Sequence, residues 1–138
     1  MDRASFQRWL DRYVEAWRTG DPGQIGELFS TDATYQWNPW DEPLHGREGI
    51  VRAWMENPDP AGSWEARYEV LAVDGDVGVA QGRTRYLENH DGMAGKSYDN
   101  IFLCRFDAQG RCREFTEWYM EPRKSPGPLT AASAEQST

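Results

Sequence analysis

The first part of the chain carries helical patterns of apolar residues separated by turn signals. Between residues 2 and 19, apolar side chains recur at the i, i+3, i+4, i+7 spacing of one helical stripe, and Gly20 is a typical stop. The segment "DPGQIGELF" predicts a second helix, because Asp21 is a favoured N-cap and Gln24 can close a capping box. "ATYQW" predicts a short strand, and "GREGIVRAWMEN" predicts a third helix, whose apolar spacing assigns Trp54 to the core.

From residue 63 onward the apolar pattern changes to a period of two, which is typical of strands. Four strands are predicted, in "SWEARYEVLAV", "VGVAQGRTRYL", "KSYDNIFLCRF" and "RCREFTEWYM". Short connections favour antiparallel neighbours. We therefore predict an α+β fold in which three N-terminal helices pack on a strongly curved mixed or antiparallel sheet. A bent sheet closed by helices forms a cone, and the space inside it is the default ligand pocket.

The domain organisation and the composition narrow the range of functions. Residues 1–121 are expected to form a single domain, and residues 122–138, mostly small and polar, a flexible C-terminal tail. The net charge of −8 and the lack of a basic cluster argue against nucleic-acid binding. No apolar stretch is long enough to span a membrane, and the charged N-terminus has no signal region, so we expect a cytoplasmic protein. The aromatic fraction of 13% must be buried or must line a pocket.

The two cysteines flank a predicted hairpin turn, "RFDAQGR". If Phe106 pairs with Arg111 across this turn, Cys104 and Cys112 fall on opposite faces of the sheet, so no disulfide is expected. The chain has only two histidines and no close cluster of His, Cys and carboxylate residues, so no metal site is expected either.

The same hairpin register divides the last two strands between the faces of the sheet. One face carries Tyr98, Asn100, Phe102 and Cys104 beside Arg113, Phe115, Glu117 and Tyr119. The other face carries Asp99, Ile101, Leu103, Cys112, Glu114, Thr116 and Trp118. Both faces are partly apolar, so the pattern alone does not say which of them is inside.

Three segments of the sequence resemble a known superfamily. They are "RYVEAWRTGDPGQIGELFSTDATYQW", "HGREGI" and "RFDAQGRCREF", and over about residues 6–121 the chain resembles the nuclear transport factor 2-like superfamily, in its SnoaL-like and ketosteroid-isomerase-like branch. That fold hosts isomerases, cyclases, dehydratases, epoxide hydrolases and non-catalytic binders. The resemblance puts the face with Phe102 and Glu117 inside the cone. It also implies a homodimer through the apolar outer patch, which consists of Ile101, Leu103, Thr116 and Trp118.

Steroid isomerases of this branch use a tyrosine on the first helix, a base aspartate on the first strand and a protonated aspartate on a late strand. The resemblance puts Tyr13, Trp37 and Phe102 at those positions of this chain. The tyrosine is kept, but tryptophan and phenylalanine cannot abstract a proton next to a carbonyl group. The resemblance therefore argues against ordinary ketosteroid isomerase chemistry.

Glu117 is the strongest remaining candidate for acid/base chemistry. "REFTEW" resembles the segment in which limonene-epoxide-hydrolase-like proteins keep a carboxylate that activates water, although "GRTRY" lacks the aspartate of that pattern. A charged glutamate in an aromatic cavity is costly without a partner, so it should be protonated or paired. The register makes Asn100 its direct cross-strand neighbour, and Arg83 or Arg113 could supply a charge. Glu117 is either an acid/base group or a member of a buried structural network.

The candidate catalytic residues are Glu117, Tyr13, Asn100 and His45. The candidate ligand-binding residues are Trp37, Phe102, Tyr119, Phe115, Trp17, Trp40, Tyr98 and Arg83. Tyr13 and His45 are alternatively structural, and Trp40 either rims the pocket or anchors its loop. These residues predict a protein with a pocket for a small apolar or aromatic molecule. If Glu117 is an acid/base group, the protein is a cofactor-free isomerase, dehydratase, cyclase or hydrolase. The alternatives are a non-catalytic binding domain and a dimerisation domain with a filled cone.

Overall fold

The computed structural model describes residues 1–87 and 95–123, which form three helices and one curved six-stranded sheet in an α+β arrangement. The elements in chain order are α1 (Arg3–Thr19), α2 (Pro22–Glu27), β1 (Phe29–Gln36), β2 (Leu44–His45), α3 (Arg47–Glu56), β3 (Trp64–Asp74), β4 (Val77–Tyr86), β5 (Ser97–Phe106) and β6 (Cys112–Met120). Residues 124–138, most of the predicted tail, lie outside the described residues.

Local capping explains where the first two helices begin and end. The Asp2 carboxylate caps α1 by accepting a backbone N–H at 2.7 Å, and α1 stops at Gly20, whose φ of 65° is left-handed. Asp21 caps α2 in the same way at 2.8 Å. The expected capping box does not form, because the Gln24 side chain accepts a hydrogen bond from the Thr19 hydroxyl at 2.8 Å instead.

The sheet order is β2-β1-β6-β5-β4-β3. Its last four strands form an antiparallel meander, which confirms the prediction from their patterns. The two strands of the first half join this meander at β6: β1 pairs with β6 in parallel, and β2 pairs with β1 antiparallel. β1 begins at Phe29 rather than at the predicted Ala33, because the chain leaves α2 at Glu27 and enters the sheet at once.

The register of the β5–β6 hairpin differs from the predicted one by two residues. Phe102 pairs with Glu117, and Asn100 pairs with Tyr119, whereas the prediction paired Asn100 directly with Glu117. A shift of two residues leaves every side chain on its face, since side chains alternate with a period of two. These four residues therefore share one face of the sheet, as predicted.

A bulge between Arg105 and Phe106 explains the difference and changes the position of one cysteine. The extra residue interrupts the alternation, so Cys112 turns to the inner face and is fully buried together with Cys104. The prediction that the two cysteines lie on opposite faces was therefore wrong. Both are free thiols inside the core.

The phenylalanines of the chain lie in the hydrophobic core. All five are buried in it, namely Phe6, Phe29, Phe102, Phe106 and Phe115. Helix α1 packs on the sheet so closely that a Cβ at Gly78 would come within 2.4 Å of the Phe6 ring. This close approach requires glycine at that position of β4.

The opposite face of the sheet carries the predicted apolar patch. Ile101 pairs with Trp118 and Leu103 with Thr116, so the four side chains are neighbours on the outer face. Trp118 is 43% exposed, and the other three are half-buried.

Candidate functional site

A cavity of about 400 Å³ lies between α1, the end of α3 and the inner face of the sheet. Its wall is mostly aromatic, and the aromatic members are Tyr13, Tyr35, Tyr68, Tyr86, Tyr98, Tyr119, Trp17, Trp37 and Trp54. The polar members are Asn57, Asp59, Thr84, Asn100 and Glu117. A concave, largely apolar space with a few convergent polar groups is the usual form of a small-molecule site.

Glu117 and Asn100 meet inside this cavity. Asn100 is 3% exposed, and its Nδ2 donates a hydrogen bond of 2.6 Å to Oε2 of Glu117. The contact runs diagonally between β5 and β6, since neither residue is the cross-strand partner of the other. Within the described part of the chain, Glu117 has no further hydrogen bond and no ion pair.

A chain of hydroxyl groups fixes the orientation of the Asn100 side chain. Thr84 Oγ1 donates to Asn100 Oδ1 at 3.0 Å, and the Tyr68 hydroxyl lies 2.6 Å from Thr84 Oγ1. A threonine hydroxyl has one proton, and Thr84 gives it to Asn100, so Tyr68 donates to Thr84. Because its oxygen is already used, Asn100 must turn its NH2 group toward Glu117. The network thus holds one neutral donor on the carboxyl group.

Gly82 gives Tyr68 the space to join this network. It pairs with Tyr68 on one side and with Asn100 on the other. A Cβ at Gly82 would come within 2.3 Å of the Tyr68 ring and within 2.0 Å of the Arg67 carbonyl oxygen. The ring therefore lies across the glycine, and a larger residue there would displace it.

The surroundings of Glu117 set its protonation state. Burial raises the pKa of Glu117 to about 7, and the hydrogen bond from Asn100 opposes the rise. Near neutral pH the residue is therefore present in both its protonated and its ionised form. A group in this state can both give and accept a proton.

Tyr13 and Tyr35 place a pair of hydroxyl groups in the same cavity. Their oxygen atoms are 2.8 Å apart. Burial raises the pKa of both tyrosines well above the ordinary value, and the charge of Glu117 adds to the rise in each case. Both hydroxyls are neutral at physiological pH. One of them donates to the other, which leaves the second proton for a ligand.

Phe102 and Phe115, both named as ligand-binding candidates, lie behind the cavity wall. Each is 1% exposed, and neither lines the cavity. The Phe115 ring stacks on Tyr35 with centroids 4.4 Å apart, and the Phe102 ring lies 4.5 Å from Tyr68. They hold the tyrosine rings in place and do not touch the cavity.

The two tryptophans that follow β1 lie in different environments. Trp37 lines the cavity, and its ring centroid is 5.1 Å from that of Tyr35. Trp40 is 93% exposed and lies off the cavity wall, in a turn where its backbone N–H bonds the Asn38 side chain at 2.9 Å. Only Trp37 of this pair contacts the cavity.

Trp17, Tyr98 and Tyr119 lie on the cavity wall. The Trp17 ring stacks on Trp64 with centroids 3.5 Å apart, and its Nε1 donates to Oδ2 of Asp59 at 3.1 Å. The rings of Tyr98 and Tyr119 meet edge to face at 5.3 Å. These contacts fix the rings before any ligand arrives.

Three residues that the sequence brought into consideration lie away from the cavity. Arg83 is on the outer face, 3.4 Å from Asp99, and Arg113 pairs with Asp76 at 2.9 Å. His45 is exposed at the end of β2. Neither arginine pairs with Glu117, so within residues 1–87 and 95–123 that carboxyl group has only the neutral Asn100 as a partner.

Sequence reasoning missed several wall residues, among them Trp54, Tyr68, Tyr86 and Asp59. Helical periodicity assigned Trp54 to the core, because a stripe of apolar residues looks the same whether it faces a core or a cavity. The alternation in β3 and β4 does put Tyr68 and Thr84 on one face, but nothing in those strands showed that this face is inside.

The described ranges contain no group of three or more His, Cys, Asp and Glu side chains that could hold a metal ion. No helix in them is both long and apolar enough to cross a bilayer.

Comparison with known proteins identifies the fold and the family. An NTF-2 like protein of unknown function from Burkholderia xenovorans LB400 is 17% identical and superposes with a TM-score of 0.68 over 90% of this chain and 89% of its own. A putative ketosteroid isomerase from Kribbella flavida DSM 17836 is 16% identical, with a TM-score of 0.69 over 94% and 88%. No curated protein matches the sequence. The fold is therefore that of NTF-2 like proteins. Residues 10–115 match the SnoaL-like domain, and the chain belongs to that family.

Proposed function

We propose that this protein binds a small apolar or aromatic molecule in the cavity and catalyses a cofactor-free proton transfer on it, with Glu117 as the acid/base group. The observation that carries the proposal is the environment of Glu117, whose pKa is raised to about 7 by burial in a mostly aromatic cavity. General acid/base catalysis is most effective when the pKa of the group is close to the working pH. A carboxyl group in bulk water would be ionised and a weak base.

The Tyr13–Tyr35 pair supports the proposal, because it supplies a neutral donor near Glu117. Removal of a proton next to a carbonyl group builds negative charge on the carbonyl oxygen, and a preorganised hydrogen-bond donor stabilises that charge. The two hydroxyls are already oriented by their mutual hydrogen bond of 2.8 Å. Glu117 then moves the proton while the tyrosine pair holds the oxygen.

The isomerases, dehydratases, cyclases and hydrolases of the proposed class all depend on a proton transfer by an acid/base group, to or from either the ligand or a water molecule. The Kribbella flavida protein is a putative ketosteroid isomerase, but at 16% identity its likeness concerns the fold. Trp37 and Phe102 stand where the resemblance expects the two aspartates of steroid isomerases, so the proton transfer in this chain depends on Glu117 from the last strand.

A non-catalytic ligand-binding role is the second candidate function, and one observation favours it. The hydrogen bonds from Tyr68 through Thr84 to Asn100 and Glu117 form a complete network without any ligand. A network of this kind can have a purely structural role, in which it keeps the cavity open and maintains its shape.

A deuterium-exchange experiment separates the two roles. 2-Tetralone has a bicyclic body and exchangeable protons next to its carbonyl group, so we expect the protein in D2O to speed their exchange, as followed by NMR. Glu117→Gln should lower this acceleration by about 100-fold or more. Glu114→Gln is the matched control, since Glu114 lies on the outer face of the same strand, paired with Arg105 at 3.0 Å. Exchange at equal rates in Glu117→Gln and the parent protein would refute the acid/base role.

We also propose that two copies associate through the outer sheet face. The four patch residues Ile101, Leu103, Thr116 and Trp118 are neighbours there and three of them are apolar, and apolar patches on protein surfaces are commonly covered by a partner.

A further inference from the structure

The cavity wall has an unusual charge pattern. Among the described residues it includes two carboxylate side chains, Asp59 and Glu117, and no Lys, Arg or His. The chain has 15 lysines and arginines, so this pattern is not a shortage of basic residues. The two arginines that flank the wall residue Thr84 in sequence are paired with acids elsewhere, Arg83 with Asp99 and Arg85 with Glu65. Among the described wall residues an anionic ligand would find no cationic partner, and it would lose its hydration on entering the cavity.

The aromatic residues of the chain are also sorted by type. All six tyrosines line the cavity: Tyr13, Tyr35, Tyr68, Tyr86, Tyr98 and Tyr119. All five phenylalanines are instead packed in the core. Three tryptophans complete the wall, and the faces of tryptophan and tyrosine rings attract cations through their quadrupoles. An enclosure of such rings is the arrangement that binds organic ammonium groups.

We propose, on the basis of the function proposed above, that the ligand of this cavity is an organic cation, namely a compact aromatic or alicyclic body that carries a protonated or quaternary amine. The body would contact the aromatic wall. The ammonium group would lie against the aromatic rings, beside the Glu117 carboxyl group.

Glu117 supplies the negative charge that a cation would meet on this wall. Asp59 lies on the same wall, where Nε1 of Trp17 donates to it at 3.1 Å. Burial raises the pKa of Tyr86, and the charges of Asp59 and Glu117 add to the rise, so both acids act on this ring. A cation bound beside Tyr86 and Glu117 is close to a negative charge, whose field favours it over a neutral ligand of the same shape.

The position of the cation links binding to the protonation of Glu117. A positive charge within a few ångströms of a carboxyl group stabilises its ionised form and lowers its pKa. Among the described residues, those that interact with Glu117 are Tyr13 from α1, Tyr35 from β1, Tyr68 from β3, Tyr86 from β4 and Asn100 from β5. Asp59, after α3, is the other acidic residue of the described wall. Burial raises the pKa values of these tyrosines, so they stay neutral between pH 6 and 8. The bound ammonium then releases the Glu117 proton and converts the residue into a base.

Three probes with one bicyclic body test the inference by isothermal titration calorimetry. They are 2-aminotetralin, 2-tetralol and 1,2,3,4-tetrahydro-2-naphthoate, with charges of +1, 0 and −1. At pH 8 we expect the amine to bind about tenfold more tightly than the alcohol, and the carboxylate to bind most weakly. From pH 6 to 8 the affinity for the amine should rise several-fold with proton release, while that for the alcohol stays nearly constant.

Glu117→Gln provides the matched test within the site. It should reduce the preference for the amine over the alcohol by about fivefold or more and abolish proton release, while the alcohol still binds. Glu114→Gln changes the same residue type on the outer face of β6 and should change neither quantity. Retention of the full preference in Glu117→Gln would remove Glu117 from the cation site and would overturn the inference.

The remaining outcomes also decide the matter. Equal binding of amine and alcohol, tightest binding of the carboxylate, or no binding of any probe at millimolar concentration would overturn the cation preference. These results would leave the 2-tetralone exchange result standing, because that probe is neutral. If the parent protein does not speed the exchange of 2-tetralone but clearly prefers the amine, the proton-transfer proposal is refuted. The inference that the ligand is an organic cation would then still stand.

Discussion

The Asn100 side chain donates a hydrogen bond of 2.6 Å to the Glu117 carboxyl group, although Asn100 pairs with Tyr119 and Glu117 pairs with Phe102 in the sheet. The contact is diagonal, and Thr84 holds Asn100 in the required orientation from the next strand. Residues of three strands therefore provide one buried carboxyl group with a neutral hydrogen-bond donor, the only one among the residues that the structure describes. The consequences can be measured.

The first prediction concerns stability as a function of pH. The pKa of Glu117 is about 7 in the folded protein and near 4.5 in the unfolded chain, so between these pH values only the folded state keeps the proton. Raising the pH through this window therefore lowers the free energy of unfolding, by about 2 to 3 kcal/mol from this residue, and the loss is complete above the folded pKa. Glu117→Gln should be more stable than the parent protein by that amount at pH 8 and by little at pH 4.

Urea unfolding at several pH values measures this difference. Other carboxylates contribute to the pH dependence of both proteins, so only the difference between them is informative. A constant difference from pH 4 to pH 8 would contradict the raised pKa.

The second prediction concerns the hydrogen bond itself. The Asn100 donor lowers the pKa of Glu117 against the effect of burial, so Asn100→Ala should raise that pKa further. Carbon-13 NMR of the side-chain carboxyl group measures it directly. Gln81→Ala is the matched control, because Gln81 is an amide on the outer face that bonds Asp99 at 3.2 Å. A Glu117 pKa that falls in Asn100→Ala would disprove the assigned geometry.

The third prediction concerns the two tyrosine hydroxyls. Tyr13→Phe and Tyr35→Phe each remove one side of a buried hydrogen bond of 2.8 Å. Each single change should cost about 1 to 2 kcal/mol of stability, and the double change less than the sum, with a coupling energy of about 1 kcal/mol. Thermal or urea unfolding of the four proteins gives the cycle. Strict additivity would show that the hydroxyls do not interact.

The fourth prediction separates the two tryptophans after β1. Trp37 lines the cavity and Trp40 is 93% exposed, so Trp37→Ala should weaken the binding of 2-tetralol several-fold, while Trp40→Ala should leave it unchanged. Calorimetric titration measures the affinity of both variants for 2-tetralol. The comparison is matched because each variant replaces a tryptophan by alanine. Equal losses would mean that the loop closes over the ligand in a way that brings Trp40 to the site.

The fifth prediction concerns the outer patch. Trp118 is the most exposed residue of the patch, at 43%, and a charged side chain there would have to lose its hydration in an interface. Trp118→Glu should convert a dimer into a monomer in analytical ultracentrifugation, and Trp40→Glu should not. Sedimentation of the parent protein as a monomer at micromolar concentration would end the dimer proposal.

The helices and the four strands of the meander were predictable because each is encoded locally, by a stripe of period 3.6 or an alternation of period two. The bulge after Arg105 was not predictable, because an extra residue does not alter the alternation that precedes it. The bulge places Cys112 on the inner face. The parallel pairing of β1 with β6 joins segments far apart in sequence, so no local pattern reports it.

The same distinction applies to the candidate site. Glu117 and Asn100 were placed together because strand alternation puts them on one face, and the error of two residues in register did not change that. Phe102 and Trp54 show the limit of the approach. One was assigned to the cavity and lies in the core, and the other was assigned to the core and lies on the cavity wall. Periodicity shows which face of a strand or helix a side chain is on. It does not show whether that side chain is packed in the core or reaches the cavity.

The parallel pairing of β1 with β6 also sets the order in which the protein can fold. Tyr35 lies opposite Phe115, so the wall that carries the tyrosine pair forms only when the last strand meets a strand from the first third of the chain. The loop closed by this contact is long, and its entropy must be lost before the contact is gained, which slows folding. A chain emerging from the ribosome can form α1 and the β3–β4 hairpin early, but its cavity appears last. Variants that weaken the β1–β6 contact should therefore expose the aromatic wall and aggregate during synthesis, even where the finished fold remains stable.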